Sequence, residues 1–152
     1  MTYSNKEIRR QDRLLDENSA VNLLKNGEYG VLSMCNGVNE AYGVPINFVW
    51  DGEKSIYLHC APEGRKLRCI DEYPNVSFCV VGKTNVISQD FTTEYSSIII
   101  ECLAERHLHP DIKMNALCML LDKYSPHYKE TGMKYAKKSF DRTEIIRLEI
   151  KK

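Results

Sequence analysis

Apolar and polar positions change period several times along the chain, and each change marks an element. From Asp16 to Lys25, residues Ala20, Leu23 and Leu24 share one helical stripe, Asp16 can cap the first turn and Gly27 can stop the last. The spacing predicts a helix that plugs or covers a sheet. The period then shortens. YGVLSMC (29–35), YGVPINFVW (42–50) and SIYLHC (55–60) read as strands separated by the turn signals NGVN and DGEK, for which a meander is the simplest connection. GRKLRCIDEY (64–73) returns to helical spacing and is closed by Pro74, and NVSFCVVG (75–82) is extended again. YSSIIIECLAE (95–105) predicts a long apolar strand. A helix from Asp111 to Tyr124 follows, with Ile112, Ala116, Leu120 and Tyr124 on one face. TEIIRLEI (143–150) alternates as a final strand, with Ile145, Arg147 and Glu149 opposite Ile146, Leu148 and Ile150. Strands dominate and follow one another directly, so the expected class is mainly β: an antiparallel barrel with peripheral helices rather than a doubly wound sheet.

Composition narrows the function classes. The 152 residues suit one domain spanning 1–152, with no repeat, low-complexity tract or linker to divide it. Twenty-one basic and twenty-one acidic residues cancel, which removes a whole-chain electrostatic reason for a nucleic-acid or membrane-surface partner. The N-terminal stretch MTYSNKEIRRQDR lacks the apolar core of a secretory signal, and no run of about eighteen apolar residues exists to span a bilayer, so a cytoplasmic location is expected. Six cysteines without a CxxC pair read as free thiols rather than a disulfide framework or metal site.

The chemistry concentrates in IYLHCAPEGRKL (56–67), where an apolar strand breaks at Pro62 and Gly64 and a helix begins with Arg65 and Lys66. The first amides of a helix lack internal acceptors and its dipole makes that end electropositive, so cations placed there oppose the dipole unless an anion binds. The two cations serve either that purpose or simple solvation. His59 is either a proton donor or phosphate ligand near neutral pH, or a structural hydrogen-bonding imidazole. Cys60 points to the opposite strand face, which argues against a Cys–His dyad. Pro45 cannot donate to a ladder and must lie at an edge or bulge. Backbone groups beside it are then free for a ligand, and Asn47 can offer both a donor and an acceptor to a heteroaromatic ring. His107 and His109 form an HxH pair without an evident third ligand, so no metal site is expected.

In their order and spacing along nearly the whole chain, RRQDRLLD (9–16), YGVPINFVW, IYLHCAPEGRK, NVSFCVVG, DFTTEYSSIII (90–100) and LLDKYSP (120–126) resemble the pyridoxamine-phosphate-oxidase-like flavin proteins, most closely their nitroimidazole-resistance branch. The resemblance implies a Greek-key split β-barrel that binds FMN as a homodimer, with the cofactor between subunits. It implies that Val44, Pro45, Ile46 and Asn47 line the isoalloxazine ring, mainly through backbone atoms. It places Lys66 on the FMN phosphate, with Gly64 permitting close approach and Arg65 as a further basic contact. It sets His59 near the cofactor and Ser97 near the flavin, on the facing subunit. The chain stops at LEIKK, where such relatives extend into a Gly-Lys segment. It also lacks the oxidase's C-terminal arginine and histidine pattern, so pyridoxamine phosphate is not the expected substrate.

The function expected from these residues is an FMN-dependent reductase of a small electrophile such as a nitroimidazole or other nitroaromatic, with His59 as catalytic proton source and NAD(P)H as a candidate reductant. The alternative is an FMN-binding or flavin-storage protein without turnover of its own. A βαβ mononucleotide domain over residues 55–82 would require a GxGxxG turn that is absent.

Overall fold

The computed structural model describes residue 6, residues 8–38 and residues 40–152; Asn39 of the first turn signal and residues 1–5 and 7 of the N-terminal stretch lie outside them. Helix α1 (Glu17–Asn26) starts where expected, because the Asp16 carboxylate accepts the backbone N–H of Ser19 at 3.0 Å. It stops where Gly27 donates its N–H to the Leu23 carbonyl at 2.8 Å. Ala20 and Leu24 are buried, and Leu24 reaches the main core.

Among the described residues seven strands follow: β1 (Gly30–Cys35), β2 (Ala41–Ile46), β3 (Phe48–Trp50), β4 (Ser55–Cys60), β5 (Asn75–Ile87), β6 (Thr92–Glu105) and β7 (Glu144–Ile150). All pairings are antiparallel, in the order β2-β1-β5-β6-β7-β4-β3. The first and last strands of that order are separated in the chain by Asn47 alone. Since a residue spans at most about 3.6 Å, the two edges must come within about 7 Å of each other. The sheet therefore curls until its ends meet, which is the split barrel.

Two expectations are corrected here. Residues 42–50 are not one strand but two, broken at Asn47, and the meander does not hold because β2 and β3 do not pair. Hydrophobic alternation runs through Asn47 with little interruption, so periodicity alone does not reveal the crossing. Pro45 sits on edge strand β2, opposite Val31, where a missing donor is tolerated.

Helix α2 (Arg65–Glu72) connects β4 to β5 and ends at Tyr73, before Pro74. Helices α3 (Pro110–Tyr124) and α4 (Lys129–Lys138) lie between β6 and β7. Strand alternation produces two cores. Phe48, Ile56, Leu58, Phe78, Ile146 and Leu148 fill the barrel. Val49, Tyr57 and Ile145, on the opposite faces of the same strands, pack with Ala116, Leu117, Leu120 and Ala136 of α3 and α4. At about 25 cal/mol per Å² of apolar surface, each fully buried side chain contributes about 1.5–3 kcal/mol, so both faces of β3, β4 and β7 are anchored. All six cysteines are free thiols, and Cys69 and Cys102 are buried.

Candidate functional site

The start of α2 has the features of an anion cradle. Gly64 adopts φ 150° and ψ 169° as the N-cap residue, with no side-chain cap. A Cβ there would meet nothing within 4 Å, yet that φ is one that L-residues rarely adopt. The Gly64 carbonyl accepts from Leu67 and Arg68 at 3.1 and 3.3 Å, so the preceding amides stand at the open helix end without helical acceptors.

The cations there have different surroundings. Lys66 is partly buried, and its ammonium acts on both His59 and Cys60. His59 lies on the outer face of β4; its outer edge is exposed, but partial burial, and then repulsion by Lys66, push the imidazole below its ordinary range. Burial pushes the Cys60 thiol up despite Lys66. Arg65 turns sideways, its guanidinium 4.5 Å from the centroid of the Tyr42 ring and 3.7 Å from a Glu40 carboxylate oxygen. Helix α2 is thereby tied to β2 at its first residue.

Strand pairing brings the second group of predicted residues alongside. Phe48 pairs with Leu58, and one step beyond that pair the chain reaches Asn47 on one strand and His59 on the other. Val44 and Ile46 pack against the barrel core, whereas Pro45 and Asn47 are exposed. The register thus collects Asn47, His59, Gly64 and Lys66 near one end of the barrel, with the edge β2 leading into it. Ser97 lies elsewhere: on β6 it pairs with Val81 of β5, and it lines a groove of about 1020 Å³ with Arg13, Leu14, Tyr95 and Ile99.

Three supporting residues carried no assigned role in the sequence reading. Arg106 is only 10% exposed and reaches Asp71 of α2 at 2.5 Å and Glu144 of β7 at 3.5 Å, clamping the helix to the sheet. The hydroxyl of Tyr124 fixes the backbone of Phe48, directly after Asn47. Lys123 lies over the Phe48 ring at 3.8 Å. Helical spacing placed Tyr124 on the inner face of α3, but no local signal names partners so distant in the chain. His109 caps α3 by accepting the Asp111 N–H at 3.4 Å, and His107 adopts φ 56°.

A mononucleotide cofactor suits these groups. The open glycine, the unpaired amides and Lys66 match a phosphate, and an exposed edge strand offers backbone donors and acceptors to a planar ring. Among solved structures, the chain resembles a provisionally assigned 5-nitroimidazole antibiotic resistance protein from Bacteroides thetaiotaomicron, with TM-score 0.71, 16% identity, and 91% of this chain and 82% of that one covered. It also resembles a conserved hypothetical protein from Mycobacterium tuberculosis, with TM-score 0.75, 16% identity, and coverage of 94% and 85%. An F420 reductase matches at TM-score 0.60 and 18% identity, with coverage of 91% and 97%. Among curated proteins no sequence matches. These likenesses share the split barrel. The sequence model of pyridoxamine 5'-phosphate oxidases matches residues 16–152, and the chain belongs to that family.

Proposed function

We propose that this protein binds FMN and uses it to reduce a small electrophile such as a nitroimidazole or other nitroaromatic, as a cytoplasmic homodimer with the cofactor between subunits. The observation that carries the reading is the placement of an uncapped, glycine-led helix start bearing Lys66 beside the exposed Asn47 and His59. Lys66 and the first amides of α2 would hold the phosphate, with Arg65 as a more distant positive charge already engaged by Tyr42 and Glu40. The backbone of Val44, Pro45, Ile46 and Asn47 would orient the ring. Bound FMN supplies the electron transfer.

His59 then manages a proton at its imidazole nitrogens. Burial, and after it repulsion by Lys66, hold it toward the neutral form. A phosphate that neutralises Lys66 would return it toward protonation, and so couple cofactor binding to the availability of the acid. On β6, Tyr95 and Ile99 flank Ser97 on the same strand face and are 64% and 72% exposed, which supports this surface as the one that meets a second subunit and delivers Ser97 to its site. Likeness to a nitroimidazole-resistance protein and to an F420 reductase supports the reaction class.

The test has two stages. Purified protein should be yellow, or take up FMN at micromolar concentration, and release it on denaturation. Anaerobic addition of NADH or NADPH should then bleach the flavin, with reoxidation only when a nitroimidazole is supplied. A colourless protein that refuses FMN overturns the reading. Binding without turnover across a broad acceptor panel would leave the flavin-storage function instead.

A further inference from the structure

Lys123 carries a charge without a partner. Its Nζ is sealed from solvent and makes no hydrogen bond, and no carboxylate among the described residues pairs with it. Its neighbours are the rings of Phe48 at 3.8 Å and Tyr124 at 5.3 Å. A ring face attracts a cation but supplies no acceptor for its three N–H groups. Burial accordingly pulls the ammonium down to about 8. A buried cation in this state gains from any conformer that offers it an anion.

Such a place lies alongside. A cavity of about 480 Å³ is walled by Lys123, Lys25, Glu28, Tyr29, Asn47 and Tyr124, a size suited to a small organic ligand. Two ammonium groups and one carboxylate leave an excess of one positive charge, which fits a single negative charge. Among the described residues no arginine fork lines the cavity to bind a phosphate dianion. The Tyr124 hydroxyl is already committed to backbone groups of Phe48 and Glu28, so that residue offers only its ring face. Tyr29, 56% exposed, offers a second ring.

We propose that this cavity binds a small aromatic monocarboxylate, with its carboxylate held by Lys123 and the side-chain amide of Asn47 and its ring against Tyr29 and Tyr124. A rotation about the outer bonds of the Lys123 side chain turns the ammonium from the Phe48 ring into the cavity. Glu28 also lines the cavity but forms no ion pair with Lys123, so the ligand's carboxylate has no bound carboxylate to displace there. The site does not depend on FMN, although Asn47 borders both.

The experiment uses flavin-free protein titrated with benzoate, and with benzamide as its uncharged match, by isothermal calorimetry. Benzoate should bind at a one-to-one ratio in the millimolar range or tighter, and benzamide at least about tenfold more weakly, as expected for loss of a charge-assisted hydrogen bond. Lys25, Glu28, Tyr29 and Tyr124 also face the cavity, so the pH profile is read against Lys123→Met. In the wild type, benzoate affinity should fall as pH rises through about 8, where Lys123 loses its proton. In Lys123→Met that step should vanish and affinity should drop at least about tenfold. Equal binding of benzoate and benzamide, no benzoate binding at millimolar concentration, or unchanged affinity in Lys123→Met would each overturn the proposal. The first two comparisons need only the wild-type protein. Because FMN is absent throughout, the outcome is separate from that of the flavin assay.

Discussion

The hydroxyl of Tyr124 accepts the backbone N–H of Phe48 at 3.0 Å and lies 2.9 Å from the carbonyl oxygen of the same residue. It also lies 2.6 Å from the carbonyl oxygen of Glu28. A phenol has one proton to donate, so it serves one carbonyl at a time while accepting from Phe48. The end of α3 thus pins the residue at which the chain leaves Asn47 and enters the far edge of the barrel. Tyr124→Phe keeps the ring and strips the Phe48 N–H of its acceptor. It should cost about 1–3 kcal/mol, the penalty for an unsatisfied polar group. Chemical denaturation should show the loss, and hydrogen exchange should show faster exchange at the Phe48 amide.

Gly64 and Lys66 make separable contributions. Gly64→Ala meets no steric neighbour but must hold φ 150°, a strain of about 1–3 kcal/mol. It should lower stability and loosen the helix start. Lys66→Ala should leave the fold intact and weaken FMN retention by about 1.5–3 kcal/mol, the value of a charge-assisted contact. Equilibrium dialysis of FMN against both variants checks the pair, and undiminished affinity in Lys66→Ala would remove that residue from the phosphate site.

Arg106 holds α2 against β7 through Asp71 and Glu144, and both Arg106 and Glu144 are nearly buried. Arg106→Ala leaves Glu144 as an uncompensated partly buried carboxylate, at a cost on the order of 3 kcal/mol. Arg106→Lys should recover only part of this, because one ammonium cannot span two carboxylates as a guanidinium does. Urea denaturation of both variants measures the difference.

The charge on Lys123 has a signature in stability against pH. Its folded-state value of about 8 lies below the ordinary value of 10.5, so between these limits the unfolded chain binds more protons. Stability from this residue therefore rises as pH increases from about 8 toward 10.5 and is lowest below that window. Lys123→Met should remove this rise and stabilise the protein at neutral pH, by about 1–3 kcal/mol less the lost attraction of the Phe48 ring. Thermal melts across pH 7–10.5 for both proteins check the sign.

His59→Ala should retain FMN and slow the reduction of a nitroaromatic acceptor, because the imidazole is assigned to proton handling rather than to cofactor affinity. Single-turnover reoxidation of the reduced protein by acceptor measures this step. Equal rates would reduce His59 to a structural residue.

Much of this architecture was legible in local pattern, and the exceptions share a cause. Asp16 and Gly27 bound α1 because caps act within a turn, and the alternation in β7 sorted Ile146, Leu148 and Ile150 from Ile145 because strand faces repeat every second residue. The extension of β5 to Ile87 was missed because residues 83–86 are exposed. Those residues are strand by virtue of ladder pairing such as Thr84 with Tyr95, which leaves no apolar alternation to read. Helix α4 was missed because it buries only Ala136.

By itself, the sequence determined the type of most elements, the faces they bury and the cationic, glycine-led start of α2, since these follow from interactions among residues a few positions apart. Only the tertiary structure decided that β2 and β3 lie at opposite ends of one sheet, that Arg106 joins Asp71 to Glu144 and that Tyr124 holds Phe48. Those relationships join residues remote in the chain, and they are selected by closure of the barrel and by the need of each buried polar group for a partner.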